Sequence, residues 1–214
     1  YSTNLTLSMS GPNNSNNSER SSFGMALVDV VLIAIGVFCL AVIFNSHSDS
    51  TDSASSLWLA NGFALGILLT APQARRPILL LAALLAQAAS ALYLRNDAAV
   101  IPWLALFNGI ELSVATLALR SRVSRAEDLT VRTNFLRFLL YAVIIAPLAM
   151  VVPLGIFNLS TSQLIEPFAL ERIVLGYAIG MVIMTPVVLA LRSGEVRRFL
   201  SSNTLLESAL TLLL

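Results

Sequence analysis

Six long apolar runs, at about 24–45, 55–71, 77–94, 98–119, 135–157 and 170–191, leave few folds open to this chain. A helix needs about 20 predominantly apolar residues to cross a bilayer, and the runs are of that order. In hydrocarbon only helices and closed barrels satisfy their own backbone polar groups, and unbroken apolar runs are helical where barrel strands would alternate. A content of 57% hydrophobic and 12% charged residues is too apolar for a soluble domain of 214 residues. The expected fold is therefore all-α, a polytopic transmembrane bundle of six complete helices. A seventh run opens near Leu205 and is cut at Leu214, and the first residue is Tyr1 instead of Met, so the chain is expected to be a fragment of a longer protein.

The arginines orient the bundle, because cytoplasmic loops retain positive charge. Arg20 precedes the first run, Arg75 and Arg76 lie between the second and third, and Arg120, Arg122, Arg125 and Arg132 lie between the fourth and fifth. Arg192, Arg197 and Arg198 follow the sixth. These ten mark one side, against Arg95 alone on the other. The expectation is a multi-pass protein of the cell inner membrane with a cytoplasmic N-terminus. Its net charge of +1 then carries no message about nucleic acid. Residues 1–22, rich in Asn and Ser, are expected to be a disordered cytoplasmic leader, and residues 23–214 a transmembrane domain.

Several chemistries lack their parts. Cys39 is the single cysteine, so no disulfide framework can form within the chain, and His47, the single histidine, shares a short loop with Asp49 and Asp52 without the three or four converging ligands of a metal site. That loop is expected to be solvated and acidic. No nucleophile elbow, zinc-protease helix or phosphate loop occurs, so no catalytic residue, metal or cofactor is expected in this stretch.

Polar residues at membrane depth are what remain. A carboxylate at the centre of a membrane helix costs roughly 2.5–3.5 kcal/mol on insertion scales, so such a group is expected to face a partner or a watery cavity. Glu111 lies near the middle of the fourth run and Asn108, three residues earlier, falls on the same helix face. Gln87 lies in the third run, Arg137 near the start of the fifth, Glu171 and Arg172 at the start of the sixth, and Glu207 in the truncated seventh. Arg137 is the natural ionic partner for Glu111 or Glu207, and snorkelling of its long side chain to the interface is the competing account. Gly62 and Gly66, and Gly176 and Gly180, have the spacing of close helix crossings, expected to serve packing inside the bundle, with a homodimer as the alternative. Pro147, Pro153 and Pro186 are expected to bend the fifth and sixth helices.

The segment Leu57-Trp58-Leu59-Ala60-Asn61-Gly62 with Ala64-Leu65-Gly66, followed by Asn108-Gly109-Ile110-Glu111, resembles the second helix and the N-x-x-E helix of the membrane-associated sensor (MASE) domain, type one, of bacterial signalling proteins. Phe135-Leu136-Arg137, Gly180 through Thr185-Pro186, and Leu205-Leu206-Glu207-Ser208 follow in the family's order. There are two departures: Leu59 and Ala60 stand where a proline is common after the tryptophan, and Tyr177 where an acidic residue is frequent. The resemblance runs from about residue 25 to the end. It implies a bundle of about eight helices that precedes a cytoplasmic output module, typically a diguanylate cyclase or cyclic-di-GMP phosphodiesterase, sometimes a histidine kinase.

The resulting expectation is an integral membrane sensory input domain, surrounded by lipid, that responds to an unidentified small molecule or membrane signal. Asn108, Glu111, Arg137 and Glu207 are its candidate polar cluster. Two other classes fit an intramembrane polar cluster, namely a transporter or ligand-capture subunit, which often shows internal repeats that this chain lacks, and a structural membrane anchor.

Overall fold

The computed structural model describes residues 13–46, 58–161 and 167–194. Every regular element among them is helical: α1 (Asn13–Asn45), α2 (Leu59–Thr70), α3 (Arg76–Tyr93), α4 (Ile101–Leu119), α5 (Arg132–Phe138), α6 (Ala146–Ala149), α7 (Val151–Thr161) and α8 (Pro167–Ser193), with short tight turns of helix at Gln73–Arg75 and Ala126–Thr130. Among the described residues, five segments are long and apolar enough to cross a membrane, namely Gly24–Phe44, Gln73–Tyr93, Ile101–Leu119, Arg132–Phe157 and Val174–Ser193. Helix α1 begins at Asn13, within the Asn- and Ser-rich stretch that precedes the first apolar run. Residues 1–12, the loop bearing His47, Asp49 and Asp52, and the seventh apolar run with Glu207 lie outside the described residues.

Prolines set several boundaries. Pro77 and Pro102 occupy the first turns of α3 and α4, where a missing N–H leaves no bond unmade. Ala71 is extended, as a residue before proline prefers to be, and α2 stops there. Pro147 and Pro153 act more strongly, because each removes a donor from the middle of the fifth span. A π-helical stretch, Leu139–Ile145, precedes Pro147, and the helix breaks again at Met150 before Pro153. By contrast α8 continues through Pro186.

Helix α2 is the axis of the bundle. Nine of its twelve residues are buried, and it packs on α8 more extensively than any other two elements pack together, with α1, α3 and α4 around it. At 1.5 Å per residue, α2 is only about 18 Å long, so it falls short of the full crossing expected of the second run. Protein on every side takes the place of lipid for it. The approach of α8 is close because two glycines face each other. A Cβ on Gly62 would collide with the Gly180 carbonyl, one on Gly180 would meet the Trp58 carbonyl, and one on Gly66 would strike the Val188 side chain. The Thr185 hydroxyl donates to the Gly62 carbonyl at 3.1 Å, and the Trp58 N–H to the Gly176 carbonyl at 3.3 Å. The glycine spacings therefore serve contact within the chain.

The bundle is inverted relative to a water-soluble one. Leu32 and Ile35 of α1, Leu81 and Leu85 of α3, Leu117 of α4, Ile144 and Leu148 of the fifth span, and Ile183 and Val187 of α8 all point outward, while Asn61, Gln87, Asn108 and Glu111 are enclosed. Such an exterior suits hydrocarbon, and the protein is a multi-pass membrane protein. Cys39 is exposed on the same apolar surface.

Gly62→Ala and Gly180→Ala are each expected to lower the stability of the purified protein by about 1–3 kcal/mol, through overpacking of the α2–α8 contact. Gly155→Ala, where an added Cβ meets nothing within 4 Å, should change it by less than about 0.5 kcal/mol. Thermal unfolding in detergent compares the three.

Candidate functional site

The i, i+3 spacing of Asn108 and Glu111 turns both toward the centre of the bundle, where α4 meets α2 and α3. Asn61 stands there on α2, one residue before the glycine that admits α8. Its amide nitrogen donates to Asn108 Oδ1 at 2.7 Å and to Glu111 Oε2, and its amide oxygen accepts from Gln87 Nε2 of α3. A single side chain thus joins three helices, using both of its amide protons and one lone pair of its oxygen. The Asn108 amide donates in turn to the Leu104 carbonyl at 2.8 Å, and the Ser90 hydroxyl to the Gln87 carbonyl at 2.8 Å. Asn61, Asn108 and Glu111 are completely shielded from solvent, and Gln87 is 4% exposed.

Helix α8 closes the cluster on a fourth side. The Tyr177 hydroxyl comes close to Asn108 and Glu111, and its ring stacks on Trp58, with centroids 5.5 Å apart and planes 22° from parallel. Tyr177, the position at which the sequence resemblance leads one to expect an acidic residue, therefore borders the cluster. Beyond it lies an apolar wall in which Trp103, Phe107 and Phe157 meet with ring centroids 5.4–6.4 Å apart. Among the described residues, Gln87 Oε1, Glu111 Oε1 and Trp58 Nε1 are buried without a hydrogen-bond partner. An unsatisfied buried polar atom costs about 1–3 kcal/mol, so two acceptors and a donor held in this condition mark a place able to take up a complementary polar group.

The pairing expected of Arg137 does not form with Glu111. Arg137 lies on an exposed face of α5, whereas Glu111 faces inward to the amide of Asn61. A long cationic side chain near a helix start can reach the interface, and a neutral amide satisfies a buried carboxyl without bringing a second charge out of water. Glu171 and Arg172 lie in α8, and Glu207 lies outside the described residues. Of the family-motif positions, Asn61 is the hub, Trp58 borders the cluster, Gly62 and Gly180 meet at the crossing, and Pro186 follows the threonine bonded to Gly62.

One charged centre goes beyond the expected residues. Asp29, 8% exposed on α1, accepts from Arg192 at the end of α8 at 2.6 Å and lies 3.8 Å from Arg75. It carries the same signal as Glu111, an acid inside an apolar run, with arginines bordering other runs as available partners. Nearby, the loop into α5 is tied down by Asp128, which accepts from the N–H groups of Ser124 at 2.7 Å and Arg125 at 2.8 Å. Burial alone would raise the Asp128 carboxyl, but these N–H groups, the Ser124 hydroxyl and the Arg125 charge outweigh it and hold the carboxyl below its ordinary value. The loop should therefore keep its form above the usual carboxylate range and loosen as pH falls through the lowered value.

A family model, MASE1, matches residues 25–214. No curated protein and no solved structure matches the chain.

A double-mutant cycle between Asn61→Ala and Glu111→Ala should give a coupling of about 0.5–2 kcal/mol in unfolding free energy. The same cycle between Asn61→Ala and Arg137→Ala should give a coupling within about 0.3 kcal/mol of zero. Equal couplings would dissolve the cluster as a unit.

Proposed function

We propose, from the premise that this chain belongs to the MASE1 family of membrane-associated sensory domains found in signalling proteins, that the Asn61–Gln87–Asn108–Glu111 cluster is its signal-receiving element. The signal is a small molecule or a change in the surrounding membrane, and the output is a cytoplasmic module that makes or degrades cyclic-di-GMP, in a protein of the bacterial inner membrane. The observation that carries this reading is the incomplete bonding of a fully buried carboxyl, since Glu111 accepts from Asn61 at one oxygen while its other oxygen has no partner among the described residues.

A signal can shift a helix packing only through different affinities for two packings. Partly satisfied polar groups supply such a difference, because a ligand or rearrangement that completes their hydrogen bonds favours the packing in which they meet. The cluster is also mechanically connected. Asn61 and Gly62 are consecutive on α2, Gly62 is held to Thr185 of α8, and α8 ends in the Arg192–Asp29 ion pair at the arginine-rich end. A shift in the cluster therefore moves α8 against α1 at the arginine-rich end of the bundle, which in this reading is the cytoplasmic end. Buried polar contacts between membrane helices also hold register, with about 0.6–2 kcal/mol each, and this structural role coexists with the switching one.

Glu111→Gln in the natural full-length protein is the test, since glutamine keeps an acceptor for Asn61 and alters only the second oxygen's chemistry. With normal expression, basal cellular cyclic-di-GMP or its response to signal should change by about fivefold or more, the effect of a coupling of about 1 kcal/mol. Unchanged basal level and response would reduce Glu111 to packing.

A further inference from the structure

A second site lies at the arginine-rich end, apart from the polar cluster. A cavity of about 300 Å³ opens between α2, α3 and α4, with Arg76 and Arg120 in its lining together with Leu68, Leu80, Leu117 and Thr116. From these we infer that it holds the phosphate headgroup of an anionic phospholipid, with the start of an acyl chain along the leucines.

Charge is the first reason. Arg76 and Arg120 line one cavity, close enough for their charges to repel, and among the described residues no acidic side chain lines it. Arg192, at the same end of the bundle, has Asp29 as a counter-ion. Two guanidinium groups brought together at a membrane edge without a carboxylate favour an anion between them, and guanidinium forks match phosphate oxygens in geometry. Arg76 is already oriented for this, because its Nε donates to the Ala71 carbonyl at 3.2 Å and its Nη2 to the Leu69 carbonyl at 3.3 Å. Those two bonds fasten it to the end of α2 and leave further N–H groups to donate.

The second reason lies beside the cavity. Thr116 is in the lining, and its hydroxyl, shielded just behind that surface in a residue only 7% exposed, has no hydrogen-bond partner among the described residues. It is a donor of the kind a phosphate or glycerol oxygen takes up. The third reason separates a lipid from a soluble anion. Leu117 in the lining is 61% exposed on the outer face of α4, so the cavity adjoins the apolar belt, which suits an acyl chain and does nothing for free phosphate. Basic pockets between membrane helices at the cytoplasmic interface are a recurring form of anionic-lipid site.

The experiment titrates the purified full chain in detergent with dioleoylphosphatidylglycerol, dioleoylphosphatidylcholine or inorganic phosphate, following lipid adducts by native mass spectrometry and protection against thermal unfolding. Phosphatidylglycerol is expected to bind at least about tenfold more tightly than phosphatidylcholine, and Arg120→Gln to remove at least about tenfold of that affinity. Arg137→Gln makes the same charge change at an exposed position on α5 and should leave it intact. Arg120 is itself exposed and is chosen over Arg76, which fastens α2. If Arg120→Gln does not fold, Thr116→Val takes its place, with the expectation of weakened phosphatidylglycerol and unchanged phosphatidylcholine binding. Equal binding of the two lipids, equal loss in Arg137→Gln, or unchanged phosphatidylglycerol binding in the folded variant used would overturn the site. Equal protection by inorganic phosphate, abolished by the same substitution, would assign it to a soluble anion and overturn the lipid.

Discussion

One amide side chain holds the interior of this bundle together. Asn61 bonds to Gln87, Asn108 and Glu111, and so ties α2 to α3 and α4 at a depth where no water competes. Remove it, and a carboxyl and two amides are left in an apolar interior with fewer partners, each at a cost of about 1–3 kcal/mol. The placement of α2 follows from the same constraint. A helix bearing Asn61 on one side and Gly62 and Gly66 on another cannot lie against lipid with equal benefit, because its polar group would be stranded and its glycines would leave gaps. Enclosed, it satisfies the amide and lets α8 approach to the distance at which Thr185 reaches the Gly62 carbonyl.

The same interior explains why a short helix is the centre of a membrane domain. Length matters for a helix that lipid must solvate, and α2 is solvated by α1, α3, α4 and α8 instead. Two polar levels then lie along the axis of the bundle. The amide cluster occupies the middle, and the Asp29–Arg192 pair, with Arg75 beside it, closes the arginine-rich end. Helix α8 takes part in both, through Tyr177 at the cluster and Arg192 at the ion pair. That connection gives the proposed sensor a route for its signal without any long-range wire.

Much of this was legible in the order of residues, and the misses have physical causes. The apolar runs announce helices because lipid imposes length and composition on whatever it solvates, and the Asn108/Glu111 spacing announces a shared face because the helical period is fixed. Partners across helices are another matter. Opposite charge made Arg137 the natural choice for Glu111, yet the structure supplies Asn61, and nothing in a linear pattern ranks a neutral amide above a cation. Depth and azimuth decide that, and both arise from packing. Asp29 was legible by the same reasoning that singled out Glu111. The breaks at Leu139–Ile145 and Met150 follow from Pro147 and Pro153, whereas the unbroken passage of α8 through Pro186 depends on neighbours that sequence does not display.

The sensor depends on a hydrogen-bonded Asn61–Glu111 pair inside the bilayer, and solid-state NMR measures that pair. In the chain reconstituted into lipid, with ¹⁵N in asparagine side chains and ¹³C in glutamate carboxyls, rotational-echo dephasing reads the distance between them. A glutamate carboxyl carbon within about 4 Å of an asparagine amide nitrogen, the separation a direct hydrogen bond implies, is expected in the unaltered chain and should vanish in Asn61→Ala. Absence of that short contact, or its persistence in Asn61→Ala, would contradict the account.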